Sequence, residues 1–177
     1  PKSGKEPRPD MARTSYANDT QMGHILAALM PPNALIVRVC VKTGLRISDV
    51  LAIKTCDLKP RQTVRESKTG KTRRVEWGQL LYKEMLAQAG EIWVFPGRCY
   101  PKQHRTRQAV YKDIKHAEAV YKRTGALGKR QNLGTHTARK IAAVRSYQRG
   151  GIKAAQRLLN HSDPAITLLY ALADKEV

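Results

Sequence analysis

The sequence is poor in cysteine, in acidic residues and in long apolar runs. Its 177 residues include three cysteines, Cys40, Cys56 and Cys99. Their odd number and wide spacing argue against a disulfide framework and against a cysteine-rich zinc site. No segment approaches the ~20 apolar residues of a membrane helix, and the polar stretch from Pro1 to Asp10 lacks the apolar core of a signal peptide. A reducing cytoplasm is therefore the expected location.

The shortage of acids leaves a large positive charge. Only 14 Asp and Glu oppose 33 Lys and Arg, which gives a formal net charge of +19. From Arg98 to Arg157 there are 16 basic residues and two acids, so this stretch carries +14 of the total. Self-repulsion of this size costs stability and indicates a polyanionic partner. Nucleic acid is favoured over an anionic membrane surface, and a generally basic surface would explain the sign of the charge but not its concentration.

Hydrophobic residues make up 41% of the chain, enough for the core of one domain. Periodicity and capping residues predict an α+β fold that is mostly α-helical, with a small antiparallel β-sheet. We expect a flexible lead-in or linker over 1–18, helices over 19–30, 34–42, 48–53, 79–89, 106–123, 135–148, 152–159 and 164–172, and strands over 63–66, 73–77 and 92–95. Predicted N-caps are Asp19 or Thr20, Asn33, Ser48 or Asp49, Thr106, Thr135 and Asp163; predicted helix ends are Pro31–Pro32, Gly44, Gly150–Gly151 and Asn160.

Five short motifs could act on a phosphodiester. They are Thr-Gly-Leu-Arg46-Ile-Ser-Asp49, Ser-Lys68-Thr-Gly, His136-Thr-Ala-Arg139, Leu-Leu-Asn-His161-Ser and the later Tyr170. A guanidinium fork matches two phosphate oxygens, and a positioned acid can protonate a departing oxygen. Asp49 is close enough in sequence to orient Arg46, while His136 and Arg139 share one face of a helical turn. Each motif alone has an ordinary reading: an exposed arginine, a solvated turn lysine, or a tyrosine in the core.

Together, in their order and gaps, these motifs resemble the signature of the tyrosine recombinases, which include the phage lambda-type integrases, the Xer-type recombinases and Cre. The resemblance covers Asn33 through Ala173 and includes the nine-residue step from His161 to Tyr170. It implies a site-specific recombinase that cleaves and rejoins DNA through a 3′-phosphotyrosyl link on Tyr170, with no metal or other cofactor.

The resemblance also implies a role for each residue. Arg46 and Arg139 would clamp the scissile phosphate, with His161 as a third donor. Lys68 would be the general acid for the 5′ oxygen, and His136 would assist proton movement from Tyr170. The implied partner is double-stranded DNA, on which such enzymes assemble as a tetramer, and we expect a monomer without DNA. The expected cell is a bacterium or phage host.

The family's usual N-terminal DNA-binding domain has no counterpart in this sequence, so we expect either a fragment or an unusually small member, with residues 19–177 as the catalytic domain. The basic helix from Thr106 is predicted to contact DNA, mostly through phosphates. The candidate DNA-binding residues are Gln103, His104, Arg105, Thr106, Arg107, Gln108, Lys112 and Lys71. Those at the start of the helix are the better candidates for base edges.

Two other functions remain open at this point. Asp57, Glu66 and Lys68 could form the Mg²⁺ site of a metal-dependent nuclease, although no further acidic cluster supports it. The chain could also be a non-catalytic DNA-binding module. The type IB topoisomerases use similar chemistry, but the motif spellings favour a recombinase.

Overall fold

The computed structural model describes residues 14–160 and 164–172 and has the predicted architecture, mostly helical with one small antiparallel sheet. The helices are α1 (Asp19–Ala28), α2 (Pro31–Thr43), α3 (Ile47–Leu51), α4 (Gln79–Gln88), α5 (Arg107–Arg123), α6 (Thr137–Leu159) and α7 (Pro164–Ala171), with a 3-10 turn at Thr55–Asp57. The strands are β1 (Arg61–Arg65) and β2 (Thr72–Glu76). His161, the predicted cap Asp163 and most of the predicted lead-in lie outside the described residues. In the described ranges, no helix has the length and hydropathy needed to cross a membrane.

Helix α2 lies at the centre of the apolar core. Ile36, Val39 and Cys40 are fully buried, and the helix packs against α3, α4 and α6. Full burial of a side chain such as Ile36 stabilises the fold by about 1.5–3 kcal/mol. The helix ends, as predicted, at a left-handed Gly44 with φ +66°. The core therefore fixes where Arg46, two residues after Gly44, emerges.

The start of α2 corrects a prediction. Pro31 and Pro32 open this helix instead of only ending the previous one. Amide hydrogens in the first turn of a helix have no acceptor within the helix, so a proline there loses no hydrogen bond. Asn33 is not the cap but a buried helical residue, whose amide donates to Asp113 Oδ2 at 2.7 Å. The same oxygen accepts from the Met30 backbone N–H at 2.9 Å. A carboxylate from α5 thus performs the capping that the sequence assigned to Asn33.

Other helix starts differ from prediction by one or two residues. The cap of α1 is Asn18, not Asp19 or Thr20; its side chain accepts from the Gln21 backbone, and the Gln21 side chain bonds back. Helix α3 begins at Ile47, one residue before the predicted Ser48 and two before the alternative, Asp49.

The later helices follow the predicted pattern more closely. Thr106 caps α5 as predicted, and its side chain accepts from the Ala109 backbone at 3.1 Å. The residue before α6 is His136 and not Thr135.

The sheet is an antiparallel hairpin in which Val64 lies opposite Arg73. Val64 and Val75 face the core, and the alternate residues point outward. The predicted strand over 92–95 is wrong, since only an isolated bridge joins Trp93 to Lys54. The chain enters the 3-10 turn directly after Lys54, so the ladder cannot extend.

The predicted break in the penultimate helical segment is confirmed as a kink inside α6. Gly151 there has φ +66°, and the two limbs correspond to the predicted helices over 135–148 and 152–159. Asn160, with φ 53°, ends the helix as predicted, and Pro164 opens α7. Helix α6 packs against both α2 and α7. The C-terminal ends of α2 and α6 lie close together, since a Cβ on Gly44 would be 3.2 Å from Leu158 Cγ, and the candidate site forms around them.

Candidate active site

Arg139 joins the ends of two helices. It lies in the first turn of α6, is 2% exposed, and donates from Nη1 to the carbonyl of Gly44 and from Nη2 to that of Leu159 at 2.7 Å. The last carbonyls of a helix have no partner within it and carry partial negative charge, so a guanidinium is well suited to them. Burial, followed by the charge of Arg46, lowers the pKa of Arg139 to about 10. Arg139 is therefore still cationic at neutral pH, and the fold holds it rigidly.

Arg73, which the sequence analysis did not select, makes a parallel connection. From β2 it donates to the carbonyl of Thr43 at 2.9 Å and to that of Leu158. Burial lowers the pKa of its guanidinium. The sequence feature that could have indicated Arg73 is the alternation of inward and outward side chains along β2, which places Arg73 on the same face as the core residue Val75. Two arginines thus connect the end of α2 to the end of α6.

Arg46 has a nearer carboxylate than the predicted one. Its Nη1 lies 2.5 Å from Glu66 Oε2 but 3.9 Å from Asp49 Oδ2. Asp49 instead accepts from the Ser67 backbone N–H at 2.9 Å and from its hydroxyl at 2.7 Å, both on Oδ1. The predicted support of Arg46 by Asp49 is therefore a weaker contact, and the direct partner of Arg46 is Glu66.

Glu66 is fully buried and remains ionised. Burial alone would raise its pKa, but the hydrogen bond and charge of Arg46, with the charges of Arg139 and Arg73, hold the pKa of Glu66 below its ordinary value. Its Oε1 lies 3.6 Å from Arg73 Nε. The two guanidiniums engage the carboxylate that the nuclease reading needed as a metal ligand. In the described part of the chain, no group of three or more His, Cys, Asp or Glu side chains gathers in a way that could hold a metal.

Lys68 lies at the exposed tip of the hairpin turn, as predicted. The turn is closed by two backbone hydrogen bonds of 2.8 Å, from Glu66 N–H to Lys71 O and from Gly70 N–H to Glu66 O. Gly70 adopts φ +68°, which few other residues tolerate. The lysine is thus presented on a short, defined turn and is close enough to His136 to influence its pKa.

Tyr170 and His136 face each other across the site. The Tyr170 hydroxyl oxygen lies 3.5 Å from His136 Nδ1, and both side chains are half-buried. Tyr170 is therefore not simply a core residue. Burial lowers the pKa of His136, and nearby positive charges lower it further, in the order Arg107, Arg139, Arg46 and Lys68. His136 is therefore neutral at physiological pH and can accept a proton.

The site thus brings together five of the six predicted catalytic residues. Arg46, Lys68, His136, Arg139 and Tyr170 lie within electrostatic or hydrogen-bonding range of one another. The sixth, His161, lies outside the described residues. Such an arrangement can bind a compact anion and move a proton from a phenol to an imidazole.

The predicted DNA-binding residues occupy three kinds of position. Arg107 lies at the edge of the site and donates from Nε to the Thr135 hydroxyl at 3.4 Å. Arg105 turns into the fold, where its guanidinium is half-buried and donates to Asn33 at 3.1 Å. The remaining predicted residues are exposed around the hairpin tip and the start of α5: Gln103, His104, Thr106, Gln108, Lys112 and Lys71.

Comparisons with known proteins identify relatives of the whole chain. The Phage integrase family matches residues 16–176. The probable integrase/recombinase YoeC of Bacillus subtilis (strain 168) is 31% identical in an alignment of 147 positions that covers 77% of this chain and 75% of YoeC. The integrase of Escherichia phage P2 is 29% identical in an alignment of 169 positions that covers 94% of this chain and 44% of the P2 protein.

Solved structures share the fold. A lambda integrase(75–356) dimer bound to a COC′ core site superposes with a TM-score of 0.73 at 20% identity, covering 92% of this chain and 61% of that one. A lambda integrase tetramer bound to a Holliday junction gives 0.74 at 18% identity, with coverage of 92% and 49%. This chain therefore spans less than two-thirds of the lambda and P2 proteins.

Proposed function

This chain belongs to the phage integrase family of tyrosine-type site-specific recombinases, and from that premise we propose that it cleaves and rejoins double-stranded DNA through a 3′-phosphotyrosyl intermediate on Tyr170. The observation that carries the proposal is the 3.5 Å approach of the Tyr170 hydroxyl to His136 Nδ1, beside two arginines and a lysine from other elements.

The proposed cleavage step is a displacement at phosphorus. The Tyr170 oxygen attacks the scissile phosphate while its proton passes to His136 Nδ1. The bond from phosphorus to the 5′ oxygen breaks, and Lys68 supplies the proton that this oxygen requires. Rejoining is the reverse reaction with the 5′ hydroxyl of another strand as the nucleophile. A phenol is mostly protonated near neutral pH, so Tyr170 needs the neutral imidazole that the lowered pKa of His136 provides.

The charge that develops on the phosphate would be stabilised by the guanidiniums. The Arg46 side chain is 16% exposed and, among the described residues, it uses only Nη1 in hydrogen bonding, so the rest of its fork can meet phosphate oxygens. Arg139 supplies a second fixed charge, and we propose His161 as a third donor. Losing one such donor typically costs about 3 kcal/mol of barrier. Cationic side chains can provide this stabilisation without a metal.

DNA would lie across the exposed basic face. Lys68, Lys71, Arg107 and Lys112 can contact phosphates, while Gln103, His104, Thr106 and Gln108 are placed to reach base edges. Because Arg105 donates into the fold, we do not include it in this interface. By analogy with the lambda integrase assemblies, we propose that the chain acts as a tetramer on DNA, in the cytoplasm of a bacterial or phage-host cell.

A substrate that loses a short fragment on cleavage tests this function, because the lost fragment traps the covalent adduct. We expect a protein–DNA band on a denaturing gel with the unchanged chain and none with Tyr170→Phe. Tyr82→Phe, on α4 and lining a groove with Leu86, is the matched control and should form adduct normally. Adduct in Tyr170→Phe would mean that another residue is the nucleophile.

The same assay with EDTA separates this function from its rivals. We expect EDTA to leave adduct formation unchanged, whereas a metal-dependent nuclease would lose cleavage and form no adduct. Asp57→Asn should also leave the rate unchanged. DNA binding without any adduct from the unchanged chain would indicate the non-catalytic module.

A further inference from the structure

We propose that Glu66 is a positioning residue that holds the Arg46 guanidinium in the geometry that binds the scissile phosphate. The inference rests on the proposed recombinase function. Neither the motif pattern nor the order of motifs selects Glu66 for this role, and the sequence favoured Asp49 instead.

The shortest contact of Glu66 is with Arg46, and Arg73 Nε lies farther away, 3.6 Å from Oε1. Its Oε2 lies 2.5 Å from Arg46 Nη1 and also accepts from the Thr69 hydroxyl at 3.2 Å. The carboxylate is fully buried and the Arg46 side chain is mostly buried, so water screens the attraction between them only weakly. A short, charge-assisted hydrogen bond to one end of a planar guanidinium fixes the direction of its other edge. The part of Arg46 that remains available is thereby aimed by Glu66.

The local balance of charge gives Glu66 a second effect on Arg46. Three buried or nearly buried guanidiniums, those of Arg46, Arg73 and Arg139, act on Glu66. Arg46 and Arg139 also repel each other, as the lowered pKa of Arg139 reflects. Asp49 is 3.9 Å from Arg46, and its Oδ1 is occupied by Ser67. Glu66 is therefore the closest negative charge to Arg46 among the described residues, and without it repulsion would move Arg46 away from the site.

Glu66 could instead act on Lys68, because its backbone closes the turn that carries the lysine. These backbone bonds survive a change of side chain, whereas the bond to Arg46 does not. We therefore assign the effect of the side chain to Arg46. The chemistry of the leaving group distinguishes the two cases. A sulfur leaving group departs as a thiolate without a proton, whereas an oxygen leaving group needs a proton from a general acid.

The experiment measures single-turnover adduct formation at saturating DNA with two substrates, one with the normal 5′ oxygen and one with sulfur in its place. Glu66→Gln removes the charge and keeps the shape. We expect it to slow adduct formation about tenfold or more with both substrates, the scale on which a misplaced catalytic group acts. Lys68→Ala, by contrast, should be slow with oxygen and restored by sulfur.

Glu84→Gln is the matched control. Glu84 also pairs with an arginine, Arg38, and its loss changes the net charge by the same amount, but it lies on α4 outside the site. It should keep the wild-type rate. Because both variants are compared at saturating DNA, a change in DNA affinity does not enter the measured rate.

Glu66→Asp provides a second test if the Gln variant does not fold, as judged by the absence of a cooperative unfolding transition. It keeps the charge but withdraws the carboxylate by one methylene group, and it should be slowed with unchanged DNA affinity. A wild-type rate in either folded Glu66 variant would overturn the inference, as would full rescue of Glu66→Gln by sulfur. If the unchanged chain itself formed no adduct, the proposed function would fail before this inference was reached.

Discussion

The hydroxyl oxygen of Tyr170 lies 3.5 Å from Nδ1 of His136, although the two residues are 34 positions apart in the chain. His136 precedes the first residue of α6 and Tyr170 is near the end of α7, and these helices pack against each other. For Nδ1 to accept the phenol proton, the imidazole must be neutral and carry its own proton on Nε2. The pairing therefore links the packing of two helices to the protonation state of one ring.

The rate of adduct formation should fall as His136 becomes protonated. Burial and neighbouring cations lower the pKa of this ring, so it is neutral above its ordinary value of about 6.5. The rate should be level from about pH 8 to pH 6.5 and should fall only at lower pH, as the ring becomes protonated. Single-turnover trapping across this range, at constant ionic strength and saturating DNA, measures the profile.

Two variants on α5 provide the control for this profile. Arg107→Ala removes the neighbouring charge with the largest effect on His136, so the acid fall should move to higher pH. Lys112→Ala removes an exposed charge from the same helix and should leave the midpoint unchanged. A fall centred above pH 6.5 in the unchanged chain would contradict the assignment of His136 as proton acceptor.

Arg139→Ala should lose both stability and adduct formation. The side chain makes charge-assisted hydrogen bonds to the Gly44 and Leu159 carbonyls, and each such bond is worth about 1.5–3 kcal/mol. We expect the free energy of unfolding to fall by about 3 kcal/mol, measured by denaturant titration. Arg145→Ala, on the same helix, breaks an exposed pair with Asp19 and should cost less than about 1 kcal/mol. Equal losses in the two variants would mean that Arg139 does not connect the helices.

Local patterns in the sequence predicted much of the fold and of the site. The glycine at the end of α2, the Thr106 cap, the break at Gly150–Gly151 and the Pro164 start all depend on backbone preferences within a few residues. The fold class and the family followed from these patterns and the order of the motifs. The roles of the individual site residues remain predictions, for which the structure supplies distances.

Contacts between distant segments could not be predicted in this way. Glu66 is 20 residues from Arg46, and the spacing rule that favoured Asp49 has no information about it. Asn33 is a residue type that often caps helices, yet the Met30 backbone N–H at the start of α2 donates to Asp113, a residue of α5. Arg105 is basic and precedes a basic helix, which favoured a DNA contact, but its guanidinium donates to Asn33 within the fold. Each difference arises because a tertiary partner outweighs a local preference.

Gly44→Ala should damage the site more than the same change at another helix end. Gly44 has φ +66°, and a Cβ there would lie 3.2 Å from Leu158 Cγ. Gly125, after α5, has φ +78° and open space around its Cβ position. Gly125→Ala should cost only the backbone strain, about 1–2 kcal/mol. Gly44→Ala should cost more, because Leu158 must also move.

The change at Gly44 should also reach the chemistry, because its carbonyl accepts from Arg139. We expect adduct formation to fall about tenfold or more in Gly44→Ala and to stay at the wild-type rate in Gly125→Ala. Thermal unfolding and covalent trapping on the same samples measure the two effects. Equal rates in both variants would show that Arg139 does not depend on the end of α2 for its position.

Two lysines three residues apart on α5 should have separable roles. Lys112 is exposed, whereas Lys115 donates to Glu118 Oε2 at 2.6 Å and to Asn132 Oδ1 at 2.5 Å. Glu118 is buried and also accepts from the Leu133 backbone, so Lys115 stabilises the segment before α6. Lys112→Ala should weaken DNA binding and reduce the slope of log affinity against log salt by about 1, with little change in stability.

Lys115→Ala should show the reverse. It leaves a buried carboxylate with one fewer partner, although Lys122 still pairs with Glu118 at 2.5 Å, so the loss of stability should be about 1–2 kcal/mol. The salt slope should not change, because a lysine engaged by Glu118 releases few counterions when DNA binds. Fluorescence anisotropy over a salt series and denaturant unfolding separate the two quantities. If Lys115→Ala lowered the slope as much as Lys112→Ala, the DNA-contacting face of α5 would have to include the side of the helix that carries Lys115 and Glu118.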